Sequence, residues 1–245
     1  MNKTEYKLYN DVEHYHWWFR ARREALKEIL SNINDISKKS VLDVGCGTGG
    51  NLNLLFGSFK IRDGIDNNPD SIYYAEKKSN GKVLQHDANA ISEIESRYDL
   101  VSFLDVLYHK NIINYVKILK DTLGILNKGG YILIADGAFD ILSGQHSVHV
   151  EGARRFKKKE LIVELEKIGY EVITSRYWGV LLFFLIFFKR RIFEKLSKSS
   201  ASSNIEKLQP LKNNLIYLLV SWERRFMKYF SMPFGSSIFV LARKV

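Results

Sequence analysis

The feature that most constrains the fold is a glycine-rich segment, Val41-Leu-Asp-Val-Gly-Cys-Gly-Thr-Gly-Gly50. The apolar residues at its start predict a strand over 41–44, and the residues 50–56 that follow predict a helix. Three glycines, at positions 45, 47 and 49, therefore fall in the turn between the strand and the helix. Glycine permits a sharp turn and lets a ligand approach the main chain closely. The segment predicts a strand–turn–helix unit that binds a small molecule.

The rest of the chain repeats this alternation of strand and helix. Short apolar runs predict strands, whereas longer stretches bounded by proline or glycine predict helices. Such an alternation is typical of an α/β fold of the doubly wound, Rossmann-like kind, with helices on both faces of a sheet. Further strands are predicted over 61–65, 82–85, 99–104, 131–135, 171–177 and 237–243, and further helices over 69–79, 112–126 and 157–168.

The same pattern divides the chain into four segments. Residues 1–38 are predicted to form an N-terminal helical lid, and residues 39–178 a core that carries the sheet. Residues 179–235 are predicted to form a helical insertion, and residues 236–245 return to the core as its final strand. Within the insertion, the serine-rich stretch 197–204 is typical of a flexible linker.

Three aspartates indicate which ligand the glycine turn binds. Asp43 directly precedes the turn, where a carboxylate would repel a pyrophosphate but suit an ammonium group. Asp66 ends the second predicted strand, 21 residues after Gly45, and this spacing reaches the hydroxyls of a ribose. Asp87 follows the third strand, where its carboxylate can accept from an adenine amino group.

These motifs resemble, in order and spacing, those of the class I methyltransferases that use S-adenosylmethionine (SAM). The resemblance implies that the sheet has seven strands and that the last strand is antiparallel. It also implies an enzyme of class EC 2.1.1 with SAM as its cofactor. It covers about residues 40–136 and rests on the segments 43–49, 64–66, 85–88 and 99–109.

The resemblance assigns the methionine half of SAM to the glycine turn. Asp43 would hold the amino group directly or through water, and Asp105 and Val106 would lie beneath the sulfonium. Asp105 also fits the simpler role of capping the next helix, and Cys46 that of a small packing residue. The turn residues that would pass under the methionine part are Gly45, Cys46, Gly47, Thr48 and Gly49.

The adenosine half is assigned to the ends of the second and third strands. Asp66 would bind the ribose hydroxyls, with Asn67 beside the adenine. Asp87 would accept from the adenine amino group, and the amide of Ala88 would donate to a ring nitrogen. All four assignments are what the resemblance implies for these positions.

Three histidines are the candidate catalytic residues. Methyl transfer to a hydroxyl needs a base, whereas a nitrogen acceptor needs less help. His109 follows the fourth strand, and His146 and His149 follow the fifth, at the edge where doubly wound folds bind ligands. The sequence leaves open which of the three is the base, and His109 also fits a structural role. No metal is expected, because no histidine has the spacing of a metal site.

A narrower resemblance links the ends of the chain to a bacterial methyltransferase group associated with surface-glycan and lipid-linked sugar pathways. It rests on the segments 16–23, 145–149, 154–156 and 177–178 and on Met232-Pro-Phe-Gly235. It implies a place in polysaccharide biosynthesis. The aromatic segment 17–19 is either a cover over the sheet or a lid over SAM, in which Arg20 or Arg23 reaches the carboxylate of SAM.

Charge is distributed unevenly along the chain. Residues 1–150 hold 18 Lys/Arg against 19 Asp/Glu, whereas residues 151–245 hold 19 against 8. The basic part contains two apolar stretches, 177–188 and 215–222, and Lys189-Arg190-Arg191 follows the first directly. Twelve helical residues span ~18 Å, too little for a hydrocarbon core of ~30 Å.

We therefore expect the insertion to contact an anionic membrane surface without crossing it, and Phe183 and Phe187 are candidate anchors. A core helix and the wall of a substrate pocket remain open as alternatives for the apolar stretch. Because the start is polar and a single cysteine allows no internal disulfide, we expect a cytoplasmic protein, peripheral on the inner face of the membrane.

Two other classes of enzyme fit less well. A nucleotide-linked oxidoreductase would need Gly-x-Gly-x-x-Gly, and Asp43 is badly placed for its pyrophosphate. Enzymes that methylate exocyclic base amines usually carry Asn/Asp-Pro-Pro-aromatic after the fourth strand, where this chain has Leu104-Asp-Val-Leu-Tyr108. No nucleic-acid partner is therefore expected.

The expected reaction is methyl transfer to a hydroxyl, or an amine, of a small-molecule, sugar or lipid-linked acceptor. A quinone-like lipid suits the same apolar and basic insertion. The alternative to an enzyme is a non-catalytic SAM-fold subunit that associates with the membrane, and the Asp43–Asp66–Asp87 set argues against it.

Overall fold

The computed structural model describes residues 3–142, 152–188, 207–226 and 232–245. The helices of these residues are α1 (Lys3–Val12), α2 (Trp17–Leu30), α3 (Gly50–Leu54), α4 (Pro69–Ala75), α5 (Tyr115–Ile125), α6 (Lys158–Ile168), α7 (Val180–Phe188) and α8 (Pro210–Phe226). The strands are β1 (Ser40–Val44), β2 (Ile61–Asp66), β3 (Val83–Gln85), β4 (Tyr98–Leu104), β5 (Leu126–Gly137), β6 (Tyr170–Trp178) and β7 (Ser237–Lys244), and short 3-10 helices cover Ile36–Lys38, Ala88–Glu93 and Asp140–Leu142.

The seven strands form one sheet in the order β3-β2-β1-β4-β5-β7-β6. The first five strands are mutually parallel where they pair, whereas β7 runs antiparallel to both β5 and β6. This arrangement confirms the predicted α/β fold with seven strands and an antiparallel last strand. It also places the carboxyl ends of β1, β2, β4 and β5 at one edge, where doubly wound folds bind ligands.

Helices cover both faces of the sheet, so the central strands are apolar on both sides. One face packs against α5 and α6, through residues such as Ile118 and Leu161. The opposite face packs against α2, whose Leu26 and Ile29 are fully buried among strand residues such as Phe239. The sheet is thus the middle layer of three.

The fifth strand begins earlier than the sequence predicts. The sequence predicts a helix that reaches residue 126 and a strand that starts at residue 131. In the structure the helix ends at Ile125 and the strand begins at once. Leu126 is buried and pairs with Tyr98, and the register then shifts before Leu100 pairs with Tyr131. Burial of Leu126 thus extends the strand through two glycines that are typical of a turn.

The apolar stretch of the insertion also begins differently. Tyr177 and Trp178 belong to β6, and the chain turns at Gly179 (φ 77°) before α7 starts at Val180. The second apolar stretch lies within α8. The predicted linker and the basic run 189–191 lie outside the described residues. Among those that the structure describes, no helix is both long and apolar enough to cross a membrane.

Candidate cofactor and acceptor site

The glycine turn between β1 and α3 has three left-handed residues, Gly45 (φ 68°), Gly47 (φ 54°) and Gly49 (φ 78°). Two of them are also required by packing. A Cβ on Gly45 would lie 2.5 Å from Val106 Cγ2, and one on Gly49 would lie 2.7 Å from the Cα of Ala75. Gly47 differs, because a Cβ built there meets no atom within 4 Å. The turn is therefore open to a ligand at Gly47.

Asp66 connects this turn to the end of β2. Its Oδ2 accepts from the amide of Gly47 at 3.0 Å, and its Oδ1 accepts from the amide of Asn68 at 2.9 Å. The carboxylate is half-buried, and the neighbouring Asn67 is exposed. Asp66 thus lies beside the open part of the turn, and its contact with a ribose stays a prediction.

Asp87 lies one strand farther along the same edge. Its Oδ1 accepts from the amide of Asn89 at 2.9 Å and from the Asn89 side chain at 2.8 Å, so it caps the short 3-10 helix that begins at Ala88. The amide of His86 donates to the carbonyl of Asp66 at 3.0 Å. This bond holds the ends of the two strands together.

Asp43 lies beneath the turn and is 2% exposed. Its Oδ1 accepts from the hydroxyl of Ser102 at 2.6 Å. Burial raises the pKa of Asp43 to about 7, although Ser102 and the positive charge of Arg22 oppose the rise. The carboxyl group therefore changes charge near neutral pH, and a cation beside it would favour the ionised form.

Asp105, at the end of β4, has a left-handed backbone (φ 61°), which is rare for a residue other than glycine and clusters at functional sites. Its carboxylate accepts from Arg22, and the same guanidinium donates to the carbonyl of Ala135 at 3.0 Å. Burial raises the pKa of Asp105, and Arg22 opposes the rise.

Arg22 was not among the site residues predicted from the sequence, although Arg20 and Arg23 were. Arg22 is 5% exposed and lies on the same face of α2 as the buried Ala25, Leu26 and Ile29. The spacing i, i+3, i+4 and i+7 marks one face of a helix. An arginine within an apolar stripe was therefore the signal that this side chain has a buried partner.

Asp136, at the end of β5, was also missed. It is fully buried, and burial together with the neighbouring Asp105 raises its pKa well above the usual value. Arg22 and the backbone amides of Leu107 and Tyr108 oppose the rise. Asp105, Asp136 and Arg22 therefore form a polar group at the ends of β4 and β5, beside the glycine turn.

Helix α1 lies over the glycine turn. Glu13, which follows it, accepts from the hydroxyl of Thr48 at 2.7 Å and forms an ion pair with Lys78. The ammonium of Lys78 also donates to the carbonyl of Thr48 at 2.9 Å. Tyr6 faces Asp66: burial, and then the charge of that carboxylate, raise the pKa of the phenol. The N-terminal helix therefore covers the same turn that the ligand would enter.

The two arginines proposed to reach the carboxylate of SAM have protein partners. The guanidinium of Arg20 lies 3.8 Å from the ring centre of Tyr217, on α8. Arg23 donates to the carbonyl of Glu13 at 2.7 Å, and burial lowers its pKa to about 10. Contact of either arginine with SAM stays a prediction.

Of the three candidate histidines, the structure describes only His109, because His146 and His149 lie outside the described residues. His109 is half-buried, and its Nδ1 accepts from the amide of Asn111 at 3.2 Å. Its backbone forms a bridge with Gly152, and Arg154 donates to the carbonyl of Leu107 at 2.6 Å. Within the described part of the chain, no three histidine, cysteine or carboxylate side chains are grouped to hold a metal.

Comparison with known proteins gives relatives for about half of the chain and structures for nearly all of it. The ubiquinone biosynthesis O-methyltransferase of Rickettsia prowazekii (strain Madrid E) is 32% identical over 128 residues, which are 44% of this chain and 50% of that protein. The chain thus spans about half the length of the curated relatives it matches.

Two solved structures share the fold across nearly the whole chain. One is a chain of the complex between the Haloferax volcanii Trm112 methyltransferase activator and a methyltransferase, with a TM-score of 0.61, 15% identity, and coverage of 98% of this chain and 93% of that chain. The other is a SAM-dependent methyltransferase from Archaeoglobus fulgidus, with a TM-score of 0.56, 19% identity, and coverage of 91% and 94%. At these identities the likeness shows the fold alone.

A family model described as a methyltransferase domain matches residues 16–175, which is more than half of the chain. The match begins in the turn before α2 and ends in β6, so it includes the glycine turn and every strand end described above. The chain therefore belongs to this methyltransferase-domain family, within the class I methyltransferases that use SAM as the methyl donor.

Proposed function

We propose that this protein transfers a methyl group from SAM to a hydroxyl, or an amine, of a small-molecule acceptor at the carboxyl edge of β1, β2, β4 and β5. The observation that carries the proposal is the opening at Gly47, next to the carboxylate of Asp66. A ligand that crosses the turn there lies beside backbone amides and a half-buried carboxylate for a ribose, and above the buried Asp43.

The residues of this edge fit the parts of SAM. Asp66, Asn67, Asp87 and Ala88 would hold the adenosine, and the turn from Gly45 to Gly49 would pass under the methionine part. The pKa of Asp43 is about 7, and the ammonium group of SAM would favour its ionised form. When bound, SAM supplies a methyl group on a positively charged sulfur.

The remaining chemistry is alignment of the acceptor and removal of a proton. Alignment of the reacting atoms contributes most of the work in such a displacement. Arg22 fixes Asp105 at the end of β4, next to Val106, which packs on Gly45. For a hydroxyl acceptor, a histidine would take the proton, and we propose His109, His146 or His149 for this role.

The acceptor that we favour is lipid-linked, either a sugar carrier or a quinone-like lipid. Two features support this class: the basic and apolar composition of residues 151–245, and the similarity to the Rickettsia ubiquinone biosynthesis O-methyltransferase. The similarity of the chain ends to the surface-glycan group supports the sugar form. In either form the enzyme would work as a peripheral protein at the inner face of the membrane, without a nucleic-acid partner.

Mass spectrometry of membrane extracts incubated with the enzyme and methyl-labelled SAM tests the proposal. We expect label in the organic-soluble fraction, and much less label with the Gly47→Ala variant at a SAM concentration near the wild-type Kd. Label only in a water-soluble metabolite would overturn the lipid-linked acceptor but not methyl transfer. SAM binding without label in any fraction would instead indicate the alternative, a non-catalytic subunit with this fold.

A further inference from the structure

Helix α8 attaches to the protein through its polar side. Asn213 accepts from the amide of Trp17 at 2.8 Å and donates to the carbonyl of Tyr15 at 3.0 Å. One turn farther, the hydroxyl of Tyr217 donates to Glu24 on α2. These contacts make the polar face of the helix the inner face.

The last turns of α8 continue the same pattern. Arg224 pairs with Glu24 at 2.9 Å and also with Glu28. Glu223 is buried, and its carboxylate accepts from the first two amides of α7, those of Val180 at 2.7 Å and Leu181 at 2.9 Å. Ion pairs and a buried carboxylate thus fix α8 together with the buried Val220 and the partly buried Ile216, whereas its leucines stay outside.

The apolar side of α8 points outward as a result. Five large side chains follow the spacing i, i+4, i+7, i+8 and i+11, which is one stripe along a helix. Each of them is more than half exposed, from 54% to 84%. A surface helix of a globular protein normally has the opposite orientation, with the apolar stripe on the core. The stripe consists of Leu211, Leu215, Leu218, Leu219 and Trp222.

Helix α7 packs beside α8 and extends this surface. Leu181, Phe184, Leu185 and Phe188 are all more than 40% exposed. Phe183, by contrast, has its ring 5.9 Å from that of Phe139 and 5.2 Å from that of Phe234. The exposed surface therefore lies on the side of α7 opposite to Phe183, which was a predicted anchor. A contiguous apolar surface of this kind marks an interaction site.

The charges around this surface indicate what covers it. Glu223 is the single acidic residue of α8, and it is buried on the first turn of α7. The exposed charges of α8 are those of Lys212 and Arg225, both positive, and α7 has no charged residue. The sequence that follows α7 begins Lys189-Arg190-Arg191. Beside α7, the described part of the chain also has one exposed acidic residue, Asp140, on the 3-10 helix that contacts α7. The positive charge is therefore that of α8, and an apolar surface flanked by such a helix complements an anionic lipid surface.

We infer that the outer faces of α7 and α8 form a docking surface for an anionic membrane. A helix of 17 residues is ~26 Å long and lies in the plane of the interface, with its leucines and Trp222 among the acyl chains near the headgroups. Lys212 and Arg225 remain at headgroup level, where the anionic lipids are. The inference deepens the proposed peripheral location by naming the surface responsible.

Sedimentation of the full chain with vesicles, without SAM, tests this inference separately from methyl transfer. We expect binding to vesicles of phosphatidylcholine with phosphatidylglycerol, and much weaker binding to phosphatidylcholine alone. Replacement of Leu218 and Leu219 by Ser should reduce partitioning at least tenfold. Arg225→Ser should reduce it roughly fivefold at low salt, since each cation near such a surface contributes about that factor.

A matched control is the pair Val163→Ser and Ile173→Ser, which are exposed apolar side chains on α6 and β6. This variant should bind vesicles as the unmodified chain does, and all variants should keep the same melting temperature. Equal binding to neutral and anionic vesicles would overturn the inference, as would equal loss in the control. The inference would also be overturned if the protein did not bind vesicles and instead formed a dimer, or a complex with an activator protein, that Leu218→Ser and Leu219→Ser abolish.

Discussion

Replacement by alanine should mainly weaken SAM binding at Gly47 and mainly lower stability at Gly49, although the two residues are two positions apart in one turn. Both have left-handed backbones, and an L-residue in that conformation costs about 1–2 kcal/mol. At Gly49 the new methyl would also lie 2.7 Å from the main chain of Ala75, which cannot move without shifting α4. Overpacking of this kind costs about 1–3 kcal/mol more.

We therefore expect Gly49→Ala to lower the free energy of unfolding by about 2–5 kcal/mol. For a chain of this size, each kcal/mol lowers the melting temperature by roughly 2–4 °C. Gly47→Ala should cost only about 1–2 kcal/mol, because its methyl meets no protein atom. Its methyl would instead occupy the space assigned to SAM and weaken binding at least tenfold.

Thermal unfolding and calorimetric titration with SAM, on the same preparations, separate the two effects. We expect Gly49→Ala to lose more stability, and Gly47→Ala to lose SAM binding with a smaller drop in melting temperature. Unchanged SAM affinity in Gly47→Ala would refute the assignment of the opening to the cofactor. Equal melting temperatures for the two variants would refute the packing argument at Gly49.

Three further predictions concern charged groups of the site. Burial holds the pKa of Asp43 at about 7, so below that pH the carboxyl is neutral and SAM affinity should fall by up to about tenfold per pH unit; Asp43→Asn should bind weakly at every pH when titrated by calorimetry. Arg22→Ala removes charge-assisted hydrogen bonds to Asp105 and to the carbonyl of Ala135 and should cost about 1.5–3 kcal/mol in urea unfolding, whereas Arg20→Ala, which removes an exposed hydrogen bond to Asn214 and the contact with Tyr217, should cost about 1 kcal/mol. With SAM at saturation, so that ionisation of Asp43 does not limit binding, His109→Ala should remove the pH dependence of turnover if this residue is the base, and a near wild-type profile would leave His146 and His149.

The sheet and the line of aspartates were predictable because each depends on residues close together in sequence. The strand β1 and its turn lie within ten residues, and Asp66 ends β2 at a spacing set by one helix and one strand. Since parallel strands end at the same edge, their terminal residues converge without further information. The antiparallel last strand followed from the family resemblance, and the structure confirms it.

The contacts of the N-terminal and insertion helices could not be predicted in the same way. The partner of Arg22 is 83 positions away, and Asn213 contacts a carbonyl 198 positions away. A helical pattern identifies the apolar stripe of α8 but not the side on which it attaches. The ion pair between Arg224 and Glu24 helps to decide which side attaches, and no pattern in the sequence near either residue identifies the other as its partner. The sequence names Phe183 as a candidate anchor because its ring contacts with Phe139 and Phe234 join distant segments and have no local pattern.

Calorimetric titration of SAM into the wild-type protein and into Asp66→Ala and Asp66→Asn tests the central claim most directly. We expect one site per chain in the wild type. We also expect at least a tenfold loss of affinity in both variants, because charge-assisted hydrogen bonds of about 1.5–3 kcal/mol are removed. Asp66→Asn keeps the size of the side chain beside Gly47, so its loss would reflect the missing charge. An unchanged affinity in both variants, or no binding by the wild type, would contradict the account.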